Sequence, residues 1–296
     1  MSVWNIVGAS SDADLYFCKQ LAVRITNTSE GGSIKFVNML EVEFLDYMTR
    51  IKVEKGGAYC TYTHLHIVER DGVLVGDLMS LVNIAMTEFN MDDAEIANTI
   101  LFEKSAQEET LRLIKQNNHT ACYLKFQAAE GIGKEDPLEY GEIVIELFDD
   151  YAPKAAKNFI SLCTGTNSKS ISYIDCPIHR IVEGGWLQLG DVVDGSGANS
   201  ISAVEVNLEK FEDESYSIEF GGQYGGLVGY SSSKNHSNGS QFFITLGPCE
   251  WMNNTSVGFG RVISGFKTLE SMGSVTTKNE RPVMPILVTS AGVYGS

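Results

Sequence analysis

The chain has 296 residues, 43% hydrophobic, 10% aromatic and 20% charged, a globular composition that excludes collagen-like, coiled-coil and wholly disordered chains. Its formal net charge of −16, from 22 basic and 38 acidic residues, repels phosphate backbones and argues against a nucleic-acid partner. It lacks an apolar run of the roughly 18 residues needed to span a bilayer, and Met1 to Ser10 lack a leader pattern, so no membrane span or secretory signal is expected. The six cysteines show no Cys-x-x-Cys spacing and the five histidines no ligand spacing, so reduced thiols in a cytoplasmic protein are expected, with no metal and no cofactor.

Two domains are expected from the length, and composition places the change near residue 120. All six prolines lie beyond residue 136, and glycine concentrates between Gly184 and Gly260. In the early half, Trp4-Asn5-Ile6-Val7-Gly8 reads as a strand. Ser10 or Asp12 can cap a helix whose apolar stripe is Leu15, Phe17, Cys18, Leu21 and Ile25. Ile34 to Leu40 reads as a second strand, and Phe44 to Ile51 as a helix closed by Gly56-Gly57. Tyr62 to Val68 alternates, and Asp71-Gly72 turns it back into Val73-Leu74-Val75. A helix follows through Leu78, Leu81, Ile84 and Ala85. Asp92 to Lys115, acidic at its start and basic at its end, reads as a further helical stretch.

This β-α-β-α-β-β-α order resembles the thioredoxin fold, and its closing hairpin and helix are similar to those of glutaredoxins. Redox members carry Cys-x-x-Cys where the first strand meets the first helix; here the segment is Ser10-Ser11-Asp12-Ala13-Asp14. Cys18 lies further on, inside the helix, and the region before the third strand, Cys60-Thr61-Tyr62-Thr63, has no proline. Thiol exchange needs a thiolate activated at an accessible helix start. The expectation is therefore a redox-inactive thioredoxin-like domain over 1–90, a helical linker over 91–120 and a second domain over 121–296.

In the later half, Glu142 to Leu147 alternates as a half-buried strand, Pro153 opens a helix, and Gly165 ends it. Ala156, Phe159, Ile160 and Cys163 form that helix's buried face. Three blocks, 141–165, 176–197 and 238–265, then resemble the cyclophilin family of peptidyl-prolyl isomerases, above all the run Asn238-Gly239-Ser240-Gln241-Phe242-Phe243-Ile244. The resemblance implies an eight-stranded antiparallel closed barrel capped by two helices. It also implies rotation about the X–Pro bonds of a proline-containing peptide or protein segment, against a barrier of ~18–20 kcal/mol. No bond breaks, so neither nucleophile nor metal is needed. A cation near the prolyl nitrogen, donors for the flanking carbonyls and an apolar pocket for the ring suffice.

By that resemblance Arg180 supplies the cation and Gln188 orients it. Phe243 forms the pocket floor, Gln241 faces the peptide, Trp251 forms the rim linked to cyclosporin sensitivity, and Met252 stands for the usual leucine. His179 corresponds to a buried, hydrogen-bonded histidine. The departures are as notable. Gly185-Trp186 replaces an aromatic-Met pair, Ser231-Ser232-Ser233 replaces the peptide-binding Ala-Asn-Ala segment, and Ser256 replaces a histidine. Losing one well-packed apolar contact costs ~1–3 kcal/mol, so several losses reduce activity by orders of magnitude.

Three readings follow. The first is a divergent isomerase working through Arg180 and Gln188. The second is a catalytically impaired cyclophilin acting as a structural or proline-peptide-binding protein; the fusion to a redox-dead domain and the "HRIVEGGWLQ" segment are similar to the isomerase-like cyclophilins of ciliary axonemes and radial spokes. The third is thiol chemistry in residues 1–120, which requires Cys18 or Cys60 to be exposed with a lowered pKa.

Overall fold

The computed structural model describes residues 2–27, 32–97, 103–129, 136–204 and 209–296. The chain divides into two compact units, Met1–Leu113 and Ile114–Tyr294. The first is built on a four-stranded sheet of β1 (Ser2–Ala9), β2 (Gly32–Met39), β3 (His66–Arg70) and β4 (Val73–Gly76), in the order β2-β1-β3-β4. β1 and β2 are parallel; β1–β3 and β3–β4 are antiparallel.

Strand alternation makes β1 two-sided. Trp4 and Ile6 pack with Leu15, Cys18 and Leu21 of α1 (Ala13–Asn27) and Leu81 and Ala85 of α3 (Leu78–Glu88). Val7 and Ala9 pack against Phe44 and Met48 of α2 (Glu41–Lys55). Asp77 caps α3 by accepting the Ser80 N–H at 3.0 Å, and Gly56 (φ +60) closes α2. Where alternation predicts a strand over Tyr62–Val68, the strand starts later, at His66. Residues Gly57–Thr61 instead form a 3₁₀ turn, and the Tyr62 hydroxyl donates to the His66 carbonyl at 2.9 Å. The expected helical stretch after Asp92 contains α4 (Asp93–Ala97) and α5 (Glu103–Gln116); the residues between them lie outside the described ones.

The second unit holds β5 (Thr120–Ala128), β6 (Glu139–Leu147), β7 (Arg180–Val182), β8 (Trp186–Leu189), β9 (Leu227–Tyr230), β10 (Phe242–Thr245), β11 (Gly258–Ser264) and β14 (Ile286–Val293) in one antiparallel sheet, ordered β14-β5-β6-β11-β9-β10-β8-β7. A separate hairpin pairs β12 (Thr277–Lys278) with β13 (Arg281–Pro282). The two edges of the large sheet meet just before β7. Pro177 bridges Leu287, the Ile178 N–H donates to the Ile286 carbonyl at 2.9 Å, and the Val288 N–H donates to the Cys176 carbonyl at 3.1 Å.

Inward positions of these strands, among them Leu124, Ile145, Leu187, Val228, Phe242 and Val262, form one buried core. α6 (Pro153–Thr164) covers it with Ala156, Phe159 and Cys163, and α7 (Phe266–Gly273) with Leu269 and Met272. Ile160, expected on the buried face, is only half-buried. Phe159 meets Tyr173, Phe242 and Phe259 at ring distances of 5.3, 5.1 and 5.2 Å, an aromatic cluster that fixes the helix on the sheet.

Candidate active site

β8 alternates two buried residues, Leu187 and Leu189, with two half-buried ones, Trp186 and Gln188. Antiparallel register sets Arg180 of β7 opposite Gln188, and Gln188 opposite Phe243 of β10. The three positions therefore share the outer face of the sheet, away from the core. Trp251 and Met252 arrive on the 3₁₀ turn Glu250–Met252. The residues named from the sequence are thus gathered in one place.

Their mutual contacts differ from those expected. The Gln188 amide does not orient Arg180; it donates to Ser231 Oγ at 2.9 Å and to Gln241 Oε1 at 2.8 Å. Gln241 is buried rather than facing a ligand, and its own amide donates to the Gly197 and Asn199 carbonyls at 2.9 and 2.7 Å. Serine in place of alanine at 231 explains the change, because its hydroxyl offers the Gln188 amide a nearby acceptor. Arg180 is held elsewhere: its Nε donates to Glu280 Oε2 at 2.7 Å, and its guanidinium carbon lies 5.1 Å from the Trp186 ring centroid.

The apolar hollow is filled. Phe243, the expected floor, is only 3% exposed. Phe220, wholly buried, meets it at a ring distance of 5.3 Å, and Cys249 and Met252 complete the cluster. Trp186 packs over this group and meets Trp251 at 5.4 Å and 60°. Trp251 itself is 64% exposed. Gly185 supplies no side chain; a Cβ there would lie 3.2 Å from Val182 Cγ1. Ser232 and Ser256 are half-buried at the margins; the Ser256 N–H donates to the Met252 carbonyl at 3.2 Å.

His179 is buried, as expected, but among the described residues neither ring nitrogen makes a hydrogen bond of good geometry. Burial, reinforced by the positive charge of Arg281, holds its pKa below the ordinary imidazole range, so the ring is neutral. Gly197 is packed so closely that a Cβ there would lie 2.6 Å from the imidazole Cδ2. Asp191 anchors this loop. Burial alone would raise its pKa, but backbone N–H groups of Asn199, Val193, Asp194 and Gly197 overcome this and bring it to about 2.

Sequence reading missed Phe220 and Glu280. Phe220 lies outside the three recognisable blocks, and the long 209–226 segment carries it back to the site. Glu280 sits in a hairpin turn 100 residues from Arg180, and no local pattern links the two.

At the start of α1, Asp12 Oδ2 lies 2.6 Å from His66 Nδ1, and the Leu78 N–H donates to His66 Nε2 at 3.0 Å. Nε2 thus accepts, and Nδ1 carries the proton donated to Asp12. Ser10 is buried with its hydroxyl 2.9 Å from that of Thr110. Cys18 is fully buried, and burial pushes its thiol far above the ordinary range; Cys60 is exposed on the 3₁₀ turn. Among the described residues no group of three or more His, Cys, Asp or Glu is placed to hold a metal, and no helix is long and apolar enough to cross a membrane.

Relatives agree with the geometry of the second unit. The family model "Cyclophilin type peptidyl-prolyl cis-trans isomerase/CLD" matches residues 135–293. A human protein named "Probable inactive peptidyl-prolyl cis-trans isomerase-like 6" is 29% identical over 295 residues, covering 97% of this chain and 90% of its own length. Its bovine namesake is 31% identical over 239 residues, covering 79% of this chain and 72% of its own. The Arabidopsis thaliana "Peptidyl-prolyl cis-trans isomerase CYP22" is 38% identical over 159 residues, covering 51% of this chain and 76% of its own. With the outer-face residues, the antiparallel sheet and a family match over more than half its length, the chain belongs to the cyclophilin-type peptidyl-prolyl cis-trans isomerases.

Proposed function

We propose that this chain is a cyclophilin whose X–Pro isomerase activity is weak or absent and which serves chiefly as a structural component of a protein assembly. The carrying observation is the filled hollow: Trp186, Phe220 and Met252 bury the Phe243 ring that a substrate proline would have to touch. Cyclophilins act by gripping that ring while a guanidinium approaches the prolyl nitrogen, so a covered floor removes substrate capture before it removes the cation. Two relatives whose names contain "probable inactive" support the same reading.

The first unit is read as a thioredoxin-like scaffold without redox chemistry. Its β2-β1-β3-β4 order and the Asp12–His66 pair at the head of α1 support this. The similarity of the whole arrangement to ciliary isomerase-like cyclophilins makes an axonemal or radial-spoke assembly the proposed setting, with the cytoplasm as compartment. A protease-coupled assay on Ala-Pro-Phe peptides tests the catalytic half: wild type should barely exceed Arg180→Ala, and robust turnover by wild type would overturn the reading. Co-purification with salt-washed axonemal doublets tests the setting; a purely soluble pool would count against it.

A further inference from the structure

We infer that Glu280 is the positioning residue of Arg180, and that it parks the guanidinium over Trp186, away from a substrate's prolyl nitrogen. The β12–β13 hairpin turns through Asn279 and Glu280, whose φ angles are +52° and +63°. Two-residue turns of this hand favour glycine at the second position, so a glutamate there is held against its preference. The surroundings hold it: the Glu280 carbonyl accepts the Ile181 N–H at 2.6 Å, and an Arg281 terminal nitrogen donates to the Ser196 carbonyl at 2.5 Å. The turn is thereby fixed beside β7, and its carboxylate reaches Arg180 Nε at 2.7 Å.

A guanidinium is planar, so fixing Nε on one side and stacking the face on an indole sets its orientation. Gln188, the residue expected to set it, is committed to Ser231 and Gln241. The orienting partner here is therefore a carboxylate in the β12–β13 turn rather than a neutral amide, and it holds the cation beside Trp186. The pair is half exposed, 44% at Arg180 and 49% at Glu280, so it is weak, screened by salt and open to competition.

This inference rests on the proposed reading of Arg180 as the guanidinium of a hindered isomerase site. Exchange NMR on a proline peptide, with full-length protein at high concentration, measures slow turnover directly. Glu280→Gln should raise the exchange rate about two- to fivefold at low salt, the range set by an exposed ion pair. Raising the salt should speed wild type toward the variant and leave the variant unchanged. The Arg180 Nε–H resonance should shift and exchange faster in Glu280→Gln, which a purely structural turn residue would not cause. Equal rates and equal salt slopes for wild type and Glu280→Gln, with Trp186→Met faster than Arg180→Ala, would overturn the role of Glu280 alone. Trp186→Met no faster than Arg180→Ala would overturn the hindered-site reading beneath it.

Discussion

The head of α1 in the first unit and the outer face of the large sheet in the second differ in the chemistry their side chains hold. At the head of α1 Asp12 and His66 form a closed pair, and Cys18 lies in the core. On the barrel the reactive group remains. Arg180 stands opposite Gln188 in register, but its surroundings have been rebuilt around Trp186, Phe220 and Glu280. Repacking alone does not turn a closed carboxylate–imidazole pair into a reactive thiol. A covered pocket can be uncovered by changing the side chains that cover it.

The largest effect that sharpens this contrast belongs to the first unit. His66→Leu leaves Asp12 and the Leu78 N–H without their partner, and should destabilise that unit by about 2–3 kcal/mol in urea denaturation followed by hydrogen exchange at β1 and α1. An unchanged midpoint would show that the pair is not structural. Next, Trp186→Met should raise isomerase kcat/KM about tenfold by reopening the space over Phe243. No change would remove the hindered-site reading and with it the contrast.

Adding Gly185→Phe to that variant should raise kcat/KM a further few-fold. A Cβ at 185 would meet Val182 Cγ1 at 3.2 Å, so the wall can be rebuilt with a small adjustment of Val182. A loss of peptide affinity would show that the cleft cannot accept it.

The smallest effects are in pH and labelling. Asp191 has a folded pKa of about 2, below its unfolded value near 3.9, so its stabilisation is complete above pH ~4 and fades as pH falls toward 2. Wild type should lose on the order of 1 kcal/mol more than Asp191→Asn across that window, and parallel curves would remove Asp191 as the loop's anchor. In native protein, iodoacetamide should modify Cys60 at an ordinary exposed-thiol rate and leave Cys18 untouched. Rapid labelling of Cys18 would reopen thiol chemistry at α1.

Much of this was legible in the chain. The alternation of Glu142–Leu147 and the stripes of α1, α3 and α6 all report which side of an element meets a core, because burial imposes the period of the backbone on nearby residues. The Asn238–Ile244 run and the Ile178-His179-Arg180 segment likewise bring Arg180, Gln188 and Phe243 to one face through strand register. The strand start at His66 was less legible, since Tyr62–Leu65 alternates but follows the 3₁₀ turn Gly57–Thr61, and the Tyr62 hydroxyl bonds the His66 carbonyl.

What the sequence alone determined was identity and side: which residues are present, which strands carry them and which face they share. Tertiary structure decided the partners. Gln188 reaches Ser231 and Gln241, Arg180 reaches Glu280, and Phe220 covers Phe243, because segments return to the barrel face from 23 to 100 residues away. A side chain's preference for burial or charge is local, but the group that satisfies it is set by where the chain comes back, and periodicity carries no record of that.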